Sequence, residues 1–430
     1  MTKKRGIVWF RQDLRLHDNE PFGEAIKNFD EIIPVFVFDD RLLNRWPQTP
    51  FPKIFRTRLK FLIESVENLR KRLRARGMEL YVRKGITEDI IYELAREYET
   101  SGVFSIRDRM PEGEWLQNNV EVKLWSLGQE LHLYQGKMLF HTSDLPFPIA
   151  RMPDLFSSFR KETLQFVPVR EPYDVPEEGC CIPDVDIAPG SIPELSDYGY
   201  YSLPENEFTG GEEEGLLHLY DMKSQAEQGF EGGLEVSPWL AVGSLSARKV
   251  YHEINELSPV SEKVKRDWIN KLMLRDYYRL ISSREPIALF RAGGLVNEEI
   301  ENRNQNEEDL MTWIRGETGE DFIDACMKCL FHTGYLNHEK RKAVARYFLE
   351  KMELKWYLGA GYFESVLIDY DPCLNYGNWQ RQAGLSFDLK GVYSFNLENI
   401  REAEDPDGSF TEKWKNRTID FDFLDQEMVV

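Results

Sequence analysis

The period of the hydrophobic residues changes once along this chain, and that change limits the folds open to it. In the first third, apolar residues come in short β-branched or aromatic runs: "GIVWFR", "EIIPVFVFDD", "MELYVRKG", "GVFSIRD" and "ELHLYQG". Helical patterns lie between them, around 53–76, 86–99 and 112–128. A parallel strand pair needs a crossover of about a dozen residues, so this alternation predicts a parallel sheet covered by helices. From about 206 onward the patterns are helical, at 212–228, 238–256, 262–284, 306–314, 320–332, 337–352 and 359–368. The expected fold class is α/β plus all-α. A parallel α/β domain spans 1–130, an acidic, proline-rich connector 131–205, and an all-helical domain 206–430.

Charge is unevenly placed along the 430 residues, whose net charge is −20. Glu171 to Glu235 holds seventeen acids against one base, Lys223. Lys53 to Lys84 holds eleven bases against three acids, mostly on an amphipathic pattern that reads as the solvated face of a helix. An acidic balance opposes nucleic-acid binding without excluding a local basic groove. Five cysteines, an odd number, fit a reducing cytoplasm, and no stretch approaches a membrane span. Cys326 and Cys329 stand at i, i+3 in a helical pattern with no second pair, so they read as core and no metal site is expected. No G-x-G-x-x-G or P-loop follows the first strand.

Two stretches carry candidate chemistry. "LIDYDPCLNYGNWQ" (367–380) gathers two carboxylates, two asparagines and a tryptophan among residues of buried type. Buried carboxylates are costly unless paired, so it is either a loop or the wall of a site. "EGGLEVSPWLAVGSLSARKVYHEI" sets two glycines before Ser237 at an expected N-cap, with Pro238 at the first helical position. Free backbone N–H groups there suit a phosphate, although alone the signal is weak. Trp313, Trp356 and Trp379 punctuate helices otherwise made of core residues.

"IVWFRQDLRLHDNEPF" resembles the opening signature of the photolyase/cryptochrome family. "LPFPIARMPDLFSSFRKE", "SPWLAVGSLSARKVY", "KLMLRDYYRLIS", "WIRGETGEDFIDACM" and "LIDYDPCLNYGNWQRQAG" resemble its successive blocks, as does "DPDGSFTEKW". The resemblance runs from residue 5 to about 414, and "LPF" with "YDPCLNYGNWQ" is closest to the DASH cryptochrome branch. It implies a Rossmann-like antenna-type domain joined to a helical domain that holds FAD in a U shape. On that resemblance Asp369 pairs with Arg341 beside the flavin and Asp371 accepts from the ring's imide edge. Asn375 lies near the ring nitrogen that gains a proton on reduction, and Trp379 is the aromatic next to the ring. Trp379 and Trp356 match the inner members of the family's electron-transfer chain. Ser237, Trp268 and Arg275 match positions lining the flavin cavity. A second, antenna chromophore of folate or deazaflavin type has no motif here.

Departures from the family pattern cluster. Gly233, Leu234 and Glu235 stand where the phosphate loop carries Ser/Thr and a base. Arg303 stands where the outer tryptophan of the electron chain is expected. In the lesion-facing pocket, Lys271 replaces an acid and Leu274 a tryptophan, while His338 and Glu339 replace the first two residues of an N-R-x-R block. His338 matches the catalytic histidine of (6-4) photolyases, but Lys342 stands where its histidine companion is expected. The expected function is an FAD-binding blue-light flavoprotein, photoreceptor or redox protein, with weak or no pyrimidine-dimer repair. Its partners are FAD and either DNA, weakly, or a signalling protein. Two alternatives remain at this point: a light-driven DNA photolyase, and a cofactor-free binding protein that keeps the fold.

Overall fold

The computed structural model describes residues 3–43, 51–177, 183, 185–205, 207–229, 232–257, 262–298, 306–388 and 395–419. Five strands, β1 (Arg5–Phe10), β2 (Glu31–Asp39), β3 (Tyr81–Gly85), β4 (Val103–Ile106) and β5 (Leu131–Tyr134), form one parallel sheet. Their order is β3-β2-β1-β4-β5. Two hydrophobic layers cover it: Val8, Phe10 and Phe36 belong to one, and Ile7, Trp9 and Val35 to the other. Alternate residues of β1 thus serve opposite faces, and both faces are apolar because helices cover each of them. The chain leaves β1 towards β2 and returns on its other side to β4. That reversal opens a crevice at the carboxyl ends of the strands.

The helical half packs around Glu262–Arg284, a helix whose residues from Arg275 to Ser282 are all buried. Asp276 ties it to the segment after β5, accepting hydrogen bonds from the backbone N–H of Leu139 (3.0 Å) and Phe140 (2.9 Å). Burial pushes that carboxyl up to about 6. The single pattern over 238–256 is two helices, Ser237–Val242 and Ala247–Asn255. Gly243 breaks it: its φ is +74°, and a Cβ there would lie 2.0 Å from Gln12 O. Contact with the loop after β1 overrides helix propensity at this point.

"DPCLNYGNWQ" is not a loop but the helix Pro372–Gln382, started by Asp371, whose carboxylate accepts from Cys373 N and Leu374 N. Residues 131–205 contain the helix Phe156–Phe166. The basic face of Arg56–Ala75 is largely engaged by protein. Lys71 pairs with Glu213 (2.7 Å) and Arg72 with the buried Glu212 (3.1 Å). Arg70 donates to the carbonyls of Leu80, Pro189 and Gly190. The acidic stretch therefore offsets the basic helix within the fold and fixes the course of the connector.

Candidate functional site

The Pro372–Gln382 helix forms one wall of a cavity of ≈ 490 Å³ within the helical half. That size falls in the usual range for small-molecule and cofactor sites. Asp369 sits on its floor with 3% side-chain exposure, accepting from Arg341 Nη2 (2.8 Å) and Ser237 Oγ (2.6 Å) on Oδ2. Its other oxygen, Oδ1, is buried without a hydrogen-bond partner among the described residues. Arg341 is held by a second bond, Nε to Leu336 O (2.6 Å), and by the Tyr335 ring 5.1 Å from its Cζ. Arg341 is thereby fixed and can orient the carboxylate.

Asn375 is buried, and its Nδ2 donates to Ala360 O (2.9 Å), which leaves its carbonyl oxygen for a donor in the cavity. Asn378 lies three residues on, one turn along the same helix, and also lines the cavity. Trp379 is buried against Phe363 (5.2 Å between ring centroids), Phe348 (5.5 Å) and Trp313 (6.2 Å). Gly359 makes room for it, since a Cβ there would meet Trp379 Cη2 at 2.3 Å. Asp371 joins Arg279 in a buried ion pair. Burial would raise the Asp371 carboxyl, but Arg279, Arg275, Lys137 and the Leu374 N–H outweigh it, so its pKa lies below the ordinary value.

Arg275 lines the cavity with its guanidinium committed to the carbonyls of Lys137 and Leu240. Ser237 is the first residue of its short helix; its hydroxyl binds Asp369 instead of capping, and Val236 occupies the cap position. Lys271 and Leu274 project from one face of Glu262–Arg284 onto the cavity mouth. His338 and Glu339 open the helix His338–Glu350 and also line the cavity, where Glu339 pairs with Lys342 (2.7 Å). The His338 ring faces the open cavity, and the protein enclosing its other sides lowers its pKa to about 4.

Two candidates stand off the cavity wall. Trp268 lies behind it, donating from Nε1 to Gly232 O (3.0 Å). Trp356 is fully buried, donates to Ala292 O (2.8 Å), and packs on Tyr357 and Tyr376, both at 6.1 Å. Arg303 lies outside the described residues. Tyr335, beneath Arg341, was not singled out in the sequence; its one signal is its place just before the Asn337 cap of the Arg341 helix. Cys326 and Cys329 are buried core residues, with burial raising both thiols.

A second cavity of ≈ 430 Å³ occupies the crevice predicted by the sheet order. Arg11 follows β1, Arg41 follows β2, Arg107 follows β4 and Gln135 follows β5, and all four line it. Asp371 and Tyr370 border both cavities.

Comparison with known proteins agrees with this geometry. A family profile described as DNA photolyase matches residues 6–177, and one described as the FAD binding domain of DNA photolyase matches residues 268–422. A protein named Cryptochrome DASH from Gloeobacter violaceus is 34% identical over 435 residues, covering 96% of this chain and 86% of that one. The chain belongs to the photolyase/cryptochrome family, on its DASH cryptochrome branch. It is an FAD-binding flavoprotein of that family. The crystal structure of a cryptochrome from Synechocystis sp. superposes with a TM-score of 0.87 at 31% identity, covering 96% of this chain and 89% of that one. An archaeal photolyase from Sulfolobus tokodaii, described with two FAD molecules, gives a TM-score of 0.78 at 27% identity, covering 95% of this chain and 90% of that one. Among the described residues, no helix of this cryptochrome is long and apolar enough to cross a membrane.

The residues present fit a flavin. Asp369 Oδ1 is a buried acceptor that lacks a donor among the described residues, Asn375 offers a carbonyl oxygen, and Trp379 and Phe363 give an apolar wall. A dry carboxylate oxygen of this kind is costly unless a ligand N–H or O–H meets it.

Proposed function

We propose that this DASH-type cryptochrome holds FAD in the larger cavity and acts as a photoreceptor or redox flavoprotein with weak or no pyrimidine-dimer repair. Bound there, FAD supplies blue-light absorption and one-electron chemistry. Asp369, oriented by Arg341 and Ser237, offers its free oxygen to the cofactor, and Asn375 offers its amide. Asp371 fixes the start of the Pro372–Gln382 helix and carries negative charge between the two cavities. Trp379 supplies the adjoining aromatic face and Phe363 excludes water beside it.

The observation that carries the loss of repair is the pair Lys271 and Leu274 lining the cavity mouth. A flipped pyrimidine dimer needs a hydrogen-bonding acid and an aromatic wall, and these residues supply neither. Glu339 adds a carboxylate where a phosphate would approach. His338 supports the (6-4) photolyase reading by position, but with a pKa of about 4 it carries little positive charge near neutrality. The deciding experiment is binding and blue-light repair of dimer-bearing single- and double-stranded oligonucleotides at low and moderate salt. Submicromolar lesion-specific binding with efficient turnover restores the photolyase reading.

The crevice at the strand ends is the site we assign to a second, antenna chromophore of folate or deazaflavin type. Its support is the switch-point position and the presence of Arg11, Arg41 and Arg107 in the lining of the crevice. A cytoplasmic location is the reading that the free cysteines favour.

A further inference from the structure

The loop Gly232–Ser237 borders the cavity and has lost the hydroxyl and the base that would meet a diphosphate. Trp268 pins this loop to the Glu262–Arg284 helix through its bond to Gly232 O. Lys271 follows three residues later, so the helix face that holds the loop also carries an ammonium to it. A Cβ built on Gly233 would lie 3.0 Å from Lys271 Nζ. The ammonium rests in the space that glycine leaves, and a serine or threonine at 233 would displace it.

The other cations of the cavity are committed. Arg341 is bound to Asp369 and Leu336 O, Arg275 to two carbonyls, and Lys342 to Glu339. Among the described residues, Lys271 is the lysine or arginine lining the cavity that makes no hydrogen bond or ion pair. Glu235, Asp267 and Glu339 face it electrostatically without closing on it.

We propose that Lys271 is the counter-ion of the cofactor's diphosphate, taking over from the loop, and is not a contact for a lesion or other substrate. The two departures from the family pattern, a base lost near 235 and a base gained at 271, are then one exchange of charge across the loop. Gly233 supplies the space and Trp268 the register. This inference rests on the reading that FAD occupies the larger cavity.

The test uses the full-length apo-protein titrated with FAD and with riboflavin, followed by flavin fluorescence quenching, with circular dichroism as the control for folding. Lys271→Ala should weaken FAD binding ~10- to 100-fold, the effect of one charge-assisted contact, and leave riboflavin unchanged. Lys271→Arg should retain most of the affinity. Lys271→Glu should lose more than Lys271→Ala, and adding Glu235→Lys to it should restore FAD binding. Unchanged FAD affinity in Lys271→Ala, with Asp369→Ala losing FAD, would overturn the role of Lys271 and leave the cavity assignment standing. Failure of the charge exchange to rescue binding, or equal losses for FAD and riboflavin, would also overturn it. If both Asp369→Ala and Lys271→Ala bind FAD as the wild type does, the cavity assignment falls as well.

Discussion

The floor and the mouth of the larger cavity are built on opposite principles. On the floor, Asp369, Asp371 and Asn375 are all buried; the two carboxylates accept from Arg341 and Arg279, and Asn375 donates to Ala360 O. At the mouth, Lys271 and His338 are exposed, Glu339 and Lys342 are half-buried, and Leu274 fills its position with plain hydrocarbon. A buried charge that loses its partner costs several kcal/mol, whereas an exposed pair is worth about 0–1 kcal/mol. The floor therefore resists substitution while the mouth can change ligand without harming the fold. Asp369, Asp371 and Asn375 stand on the floor, whereas Lys271, Leu274, His338 and Glu339 stand at the mouth.

The largest effect should come from returning the mouth to the family pattern. A stacked base is worth ~1–3 kcal/mol and a charge-assisted hydrogen bond ~1.5–3 kcal/mol. Lys271→Glu with Leu274→Trp should therefore raise affinity for a dimer-bearing oligonucleotide by roughly two to four orders of magnitude. Glu235→Lys is included in that variant so that the cofactor keeps a cation. If the altered protein binds lesions no better than wild type in a fluorescence-anisotropy titration, the mouth is not what limits repair.

A floor substitution should act next. Asp369→Ala leaves Arg341 and Ser237 without their acceptor, a loss of ~1–3 kcal/mol, so retained FAD should fall by roughly 10- to 100-fold. The ratio of flavin to protein absorbance after purification measures this directly. A fully yellow Asp369→Ala protein would show that the floor is as tolerant as the mouth.

Electron supply to the floor should be a smaller lever. Trp356 packs on the half-buried Tyr357 and on Tyr376, while Arg303 stands where an outer tryptophan is expected. Light-driven reduction with a thiol donor should be slow, faster in Arg303→Trp and slower in Tyr357→Phe. Equal rates in all three proteins would remove the truncated-chain explanation.

The smallest effect is the pH response of His338. Its folded pKa, about 4, lies below the ordinary 6.5, so the folded protein holds it neutral where the unfolded chain would protonate. Its contribution to stability is intact above pH 6.5 and is lost as pH falls towards about 4. His338→Gln should gain on the wild type in acid melts by less than ~1 kcal/mol, because the ring is exposed to the cavity, and match it at pH 7–8. An NMR titration midpoint near 6.5 for His338 would contradict this.

Periodicity alone made β1, β2 and the amphipathic helices legible, because burial on both faces or on one stripe leaves a local pattern. The pairing of Asp369 with Arg341 was expected from the resemblance carried by "LIDYDPCLNYGNWQ", although the residues of that stretch alone left a loop or the wall of a site open. The helix Pro372–Gln382 was missed because two asparagines and a glycine depress local propensity, while the Asp371 cap, Pro372 at the first helical position and burial of Trp379 compensate.

What the sequence determined by itself was the order of layers and the identity of the polar groups that need burial, since each is written in residues close together along the chain. Tertiary structure decided which distant groups meet. Gly243 is pressed against Gln12, the acidic residues after 205 settle on the basic helix, Arg11 and Cys373 share one crevice, and Lys271 lies over Gly233. No local pattern encodes such meetings, because they depend on how whole elements pack. A positive charge can therefore pass from the loop near 235 to the helix at 271 without any change in the periodicity around it.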